Sequence, residues 1–204
     1  VVTPEVFAVA FDDPETALLL GDCLVERVIA DFRRWGDDAP PYVAINLPSA
    51  MSHLPQFAER LVAAVTAGGL PPARLCVELT ETMLLGKDAE LVASTVKTFT
   101  AAGVRIALDD FGTGYASLTH LQKFPVDTIK IDRSFISQIA TDPQSQAIAL
   151  TVIELGRRLG KEVIAEGVES EAHAIILRAA GCTRAQGYHF ARAMPADALA
   201  AYIA

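Results

Sequence analysis

From residue 42 onward the chain repeats one phrase: a short β-branched apolar run, a loop, then a stretch whose apolar residues recur at helical spacing. The runs are Tyr42 to Leu47, Arg74 to Leu79, Val104 to Leu108, Thr128 to Asp132, Glu162 to Ala165, and a weaker one at Thr183 to Gly187. Between them the pattern predicts helices near Phe57 to Ala67, Ala89 to Ala102, Ala116 to Lys123, Gln144 to Leu159 and Glu171 to Ala180. Pro55 and Pro143 suit first-turn positions, and Gly68, Gly103, Gly160 and Gly181 follow the last turns. Strand then helix, repeated, means parallel strands joined by crossovers.

Before residue 42 the phrase differs. Asp13-Pro14-Glu15 opens a helix to about Arg34, with Leu18, Leu19, Cys23, Leu24 and Val28 expected on its inner side. No strand precedes this helix in the sequence. The six runs are two short of the eight that close a βα barrel, so either the sheet is open or strands of the fold lie upstream of Val1.

Composition narrows the picture. With 204 residues and 51% hydrophobic content, one substantial core is well supplied, and a single domain is the default. A net charge of −8 excludes a protein that grips nucleic-acid polymer through a basic face, while a small anion held through metal ions stays allowed. Cys23, Cys76 and Cys182 form no CxxC pair and read as buried thiols of a reducing compartment. His53, His120, His173 and His189 lack metal-ligand spacing. No apolar stretch reaches the ~20 residues that span a bilayer. A cytoplasmic location is expected, in a parent protein that could itself be membrane-anchored.

The polar residues choose between open sheet and barrel. Asp109-Asp110-Phe111-Gly112-Thr113-Gly114 sets two adjacent carboxylates at the end of an apolar run, before a glycine-punctuated loop. Side-by-side anions are costly unless a cation neutralises them, which points to a divalent metal. Asn46, Glu78, Lys130, Glu166 and Gln186 also stand at or near the ends of successive runs. In a parallel barrel those ends meet on one rim, where active sites are built.

Each residue alone has a plainer explanation. Asp110 or Thr113 could cap a helix, Asn46 could make a turn before Pro48, and Glu166 could serve the loop at Gly167. Lys130 could pair with Glu78, or with Asp132 on the same strand face. One shared site accounts for all of them at once.

These residues carry a resemblance. Asp109 to Tyr115, Pro125-Val126-Asp127, Ile129 to Arg133, Ala165 to Glu169 and Gln186 to Phe190 resemble the motifs of the EAL-domain family of cyclic di-GMP phosphodiesterases. Ile45-Asn46-Leu47 and Glu78-Leu79-Thr80-Glu81 extend the match, which runs from Pro4 and Phe7 to the C-terminus. The resemblance implies an α/β fold, a (β/α)8 TIM-type barrel that is N-terminally incomplete here, with residues 1–204 as one partial EAL domain. It implies hydrolysis of cyclic di-GMP to linear pGpG with two Mg²⁺ or Mn²⁺ ions per site. Asn46, Glu78 and Asp109 would hold one ion, Asp109 would bridge to the second, and Asp110 and Glu166 would complete it. Lys130 would contact the attacking water or the phosphate, and Glu169 would hold the loop Asp110 to Gly114. Gln186 and Asp132 would lie on the substrate side, with a supporting role for Glu81. The family further implies homodimers, formed through the region after Asp109, and fusion to sensory or GGDEF domains.

The chain departs from the family at three places. The Glu-Ala-Leu signature, with its metal-ligand glutamate, is absent and is expected upstream of Pro4, where two strands are also missing from the count. Without that ligand the chain alone could be inactive. Phe11-Asp12-Asp13-Pro14-Glu15 stands where Ala-Glu-Glu-Thr-Gly is usual, and Ala193 where proline is usual. The alternative is therefore a catalytically inactive EAL domain acting as a cyclic di-GMP receptor or protein-interaction module.

Overall fold

The computed structural model describes residues 13–48, 56–85, 88–114, 121 and 124–203. They belong to two compact units, one of residues 1–78, 86–105 and 195–204, the other of residues 79–85 and 106–194. The expected helix Ala116 to Lys123, and with it His53, Pro55 and His120, lies almost wholly outside the described residues.

In the first unit, helix α1 (Pro14–Trp35) starts where the Asp13 carboxylate accepts the Thr16 amide at 2.9 Å, and stops at Gly36, whose φ of 56° disfavours a side chain. Its buried face is Ala17, Val25, Ile29, Phe32 and Trp35, not the leucine face expected from the sequence: Leu19 is 67% and Leu24 44% exposed. The run Leu18-Leu19-Leu20 with Leu24 offers a second apolar stripe, but only the stripe through Ile29, Phe32 and Trp35 persists to the last turn. Cys23 is exposed with that outer stripe, correcting the expectation of three buried thiols; Cys76 is buried and Cys182 half-buried.

Helices α2 (Phe57–Ala67) and α3 (Ala89–Ala101) bury Phe57 against Phe99, ring edge to ring face, with centroids 6.3 Å apart. Strand β1 (Val43–Asn46) pairs in parallel with the first four residues of β2 (Leu75–Thr80), in a register that sets Asn46 opposite Glu78. Helix α7 (Ala196–Ile203), which the sequence pattern did not predict, is tied to the end of α1. Trp35 Nε1 donates to the Ala196 carbonyl at 3.1 Å, and Arg34 pairs with Asp197.

The second unit carries β3 (Arg105–Phe111) from Ile106 onward, β4 (Thr128–Ile131), β5 (Glu162–Ala165) and β6 (Arg184–Ala185), each parallel to the next. Every residue of β4 is buried, as expected for a parallel strand covered on both faces. Between the strands run a one-turn helix α4 (Arg133–Ile136), α5 (Pro143–Leu159) and α6 (Glu171–Ala179). Asp142 and Ser170 cap α5 and α6 by accepting first-turn amides. A methyl group on Gly156 of α5 would lie 2.1 Å from Val163 Cγ2, so this helix approaches its sheet more closely than any side chain there would permit.

Candidate metal centre

Strand β3 ends irregularly. Leu108 pairs with Ile129 and Phe111 with Ile131, so the register shifts between them, where Asp109 and Asp110 stand. A bulge of this kind turns consecutive side chains away from strict alternation. Asp110 has φ 54°, a conformation unusual for a residue with a side chain, and its amide donates to its neighbour's Asp109 Oδ1 at 3.0 Å. Two successive acids can thereby serve one centre, which alternation along a regular strand would prevent.

Strands β4, β5 and β6 deliver the remaining groups. Lys130, only 4% exposed, sets Nζ 3.0 Å from Asp109 Oδ1 and 2.7 Å from Glu166 Oε1. Glu166 follows the last residue of β5, held by its amide on the Ile131 carbonyl at 3.1 Å. Gln186 follows β6, and its Nε2 donates to Glu166 Oε1 at 2.6 Å. Asp109, Asp110 and Glu166 each offer a carboxylate oxygen, and the three lie within 4.8 Å of one another.

Among the described residues, three carboxylates gather beside the Lys130 ammonium. At that spacing each like-charged pair costs about 3 kcal/mol or more, taking an effective dielectric of about 20. The structure shows the strain at Asp110: burial, then the Asp109 and Asp132 carboxylates, push its carboxyl above the usual range, against the pull of Lys130. Asp132, in hydrogen-bond contact with Asp110, goes the other way. Burial raises it, but the Ser134 hydroxyl and amide outweigh that and hold it ionised below its ordinary value. Oxygen donors crowded like this fit a hard divalent cation such as Mg²⁺ or Mn²⁺.

The loop after the acids is fixed from below by Glu81, which is 2% exposed. Its Oε2 accepts the Gly112 amide at 3.3 Å and the Gly114 amide at 3.0 Å. Sequence motif gave Glu81 only an unspecified supporting role. The available signal was the loop itself, whose successive glycine amides need an acceptor.

Asp109, Asp110, Lys130, Glu166 and Gln186 are thus brought together within the second unit, and Asp132 touches the group through Asp110. Asn46, the last residue of β1, is in register with Glu78, the fourth residue of β2, in the first unit. Glu169 is exposed on the loop between β5 and α6.

Parallel strands alternating with helices, with acids gathered at strand ends, define an α/β protein with a carboxylate cluster that could hold a metal ion. The chain belongs to the EAL-domain family, whose model matches residues 1–193. It is 33% identical over its whole length to MucR of Pseudomonas aeruginosa, a bifunctional diguanylate cyclase/cyclic di-GMP phosphodiesterase, of which it spans 30%. It is 39% identical over 96% of its length to an uncharacterised protein of Azorhizobium caulinodans, of which it spans 27%. Both relatives are thus more than three times longer than the matched region.

Among solved structures, the PaMucR phosphodiesterase in complex with c-di-GMP matches 97% of this chain and 81% of its own, at 32% identity and a TM-score of 0.90. A manganese and cyclic di-GMP complex of Klebsiella pneumoniae BlrP1 matches 81% of this chain and 42% of its own, at 31% identity and a TM-score of 0.74. The fold is accordingly the TIM-type barrel class of this family, with six parallel strands among the described residues.

Proposed function

We propose that this domain hydrolyses cyclic di-GMP to linear pGpG at a centre of two Mg²⁺ or Mn²⁺ ions. The observation that carries the reading is the cluster of Asp109, Asp110 and Glu166 around Lys130, in a chain whose family includes a cyclic di-GMP phosphodiesterase. Asp109, Asp110 and Glu166 would hold the metal, and the resemblance alone adds Asn46 and Glu78 as ligands. Such ions supply a nucleophilic water at neutral pH and neutralise phosphoryl charge.

The protein's own groups do the rest. Lys130 holds a positive charge beside the phosphoryl oxygens, where burial keeps it from being screened by water. Glu166 is oriented by Lys130 and Gln186, both of which reach its Oε1. In the reaction a water oxygen bonds to phosphorus as the bond to the ribose 3′ oxygen breaks, and that oxygen takes up a proton. Gln186 and Asp132 line the substrate side, and Glu169 supports the loop Asp110 to Gly114 together with Glu81. Homodimerisation, fusion to sensory or GGDEF domains and a cytoplasmic location belong to the same proposal.

The test is incubation with cyclic di-GMP and Mn²⁺, followed by chromatography. The expected result is pGpG, suppressed by chelator and reduced at least about a hundredfold in Asp109→Asn. Tight binding of the nucleotide without turnover would favour the receptor alternative, and neither binding nor turnover would contradict both readings.

A further inference from the structure

The one-turn helix α4 follows β4 directly, and each of its first three residues touches a different part of the centre's frame. Phe135 lies against the loop after the acids: a methyl group on Gly112, whose φ is 101°, would sit 3.0 Å from Phe135 Cε2. Arg133 lies against the residue after Glu166, since a methyl group on Gly167 would sit 2.7 Å from Arg133 Cβ. Ser134 donates from its amide at 2.9 Å and its hydroxyl at 2.5 Å to Asp132 Oδ1, the carboxylate in contact with Asp110. Ile136 anchors the turn, at 0% exposure, and Ile139 lies beyond it in the core, at 1%.

Gly112 is bound to Asp110 through one short turn, in which the Thr113 hydroxyl donates to the Asp110 carbonyl at 2.9 Å. Asp110 holds an unfavourable backbone conformation, which persists only where its surroundings enforce it. Glu81 accepts from the loop amides, and the Phe135 ring fills the space that a side chain on Gly112 would take. Positive φ favours glycine at both 112 and 167, and the turn leaves little room for a side chain at either.

We propose that α4 is the positioning element of the metal centre. Phe135 braces the Asp110–Gly114 loop, while Arg133 braces Gly167, so the turn fixes the separation between Asp110 and Glu166. Phe135 is a positioning residue that touches neither metal nor substrate. The inference rests on the metal-centre reading given above.

The experiment measures Mn²⁺ binding to the 204-residue chain by electron paramagnetic resonance, without substrate, for the parent, Phe135→Ala, Phe135→Tyr and Ile139→Ala. Hydrogen exchange of the Gly112 and Gly114 amides is followed in the metal-free proteins. Phe135→Ala is expected to weaken Mn²⁺ binding about tenfold, the usual effect of losing outer-shell support, and to speed exchange at both amides. Phe135→Tyr, which keeps the ring, should bind within about twofold of the parent. Ile139→Ala should lower the melting temperature yet leave Mn²⁺ affinity at the parent value. If Phe135→Ala does not fold, Phe135→Leu must show the same direction of loss.

Parent affinity in the folded Phe135→Ala or Phe135→Leu protein would overturn the proposal. So would equal weakening by Ile139→Ala, which would reduce Phe135 to ordinary packing. A parent that binds no Mn²⁺ would instead remove the metal-centre reading, and this inference with it.

Discussion

Lys130 sits where two demands meet: it is shared by Asp109 and Glu166, and in the proposed reaction it faces phosphate. Lys130→Met keeps the length of the stem and removes the charge. Breaking a buried ion pair from one side costs about 3–5 kcal/mol, because the orphaned carboxylates remain desolvated. With Mn²⁺ present that loss should shrink, since the ion takes over neutralisation of the same acids. Urea unfolding of Lys130→Met with and without Mn²⁺ checks this; a loss independent of Mn²⁺ would mean that ion and ammonium serve different carboxylates.

At this scale the sequence singled out Asp109, Asp110 and Glu166 but not the geometry that brings them together. Nothing in Asp109-Asp110 announces the register shift in β3 that lets both serve one centre. Nor does Phe135 differ, to a reader of residues, from any aromatic packing under a loop.

At the scale of elements, α5 offers two measurements. Gly156→Ala should gain about 1 kcal/mol of helix propensity. Overpacking against Val163, whose Cγ2 lies 2.1 Å from the added carbon, should cost about 1–3 kcal/mol, so the variant is expected to be net destabilised in thermal melts. A more stable variant would mean that α5 slides freely on β5.

On the outer face of the same helix, hydrogen bonds from Arg157 and then Arg158 hold the Glu154 carboxyl down at about 2. A depressed carboxylate contributes stability that is present above its unfolded value near 4.5 and is lost as pH falls through about 2. Melting curves of the parent and Glu154→Gln should therefore differ above pH 4.5 and converge as pH falls to about 2, with a smaller difference in high salt. A difference that grows in acid would contradict the pairing.

Elements were the most legible level of this chain, for physical reasons. Where buried faces recur with one clear period, as at Phe57, Leu61 and Val65 or at Val92, Val96 and Phe99, the predicted helices Phe57 to Ala67 and Ala89 to Ala102 agree with the structure to within a residue. In α1 two apolar stripes compete, and only tertiary packing selects between them. Helices α4 and α7 are short and held by contacts distant in sequence, such as Trp35 on Ala196, so local pattern could not reveal them.

At the scale of the molecule, the chain combines a net charge of −8 with a proposed anionic substrate. Without bound cations, long-range electrostatics would repel a doubly charged dinucleotide, and the proposed metal ions would reverse the sign where it binds. The central claim is therefore that Asp109, Asp110 and Glu166 hold divalent ions. Anomalous diffraction from crystals grown in Mn²⁺ measures this most directly. The account predicts an anomalous peak about 2.0–2.4 Å from oxygens of Asp110 and Glu166. Manganese found only elsewhere on the protein, with Lys130 the sole cation among these acids, would contradict it.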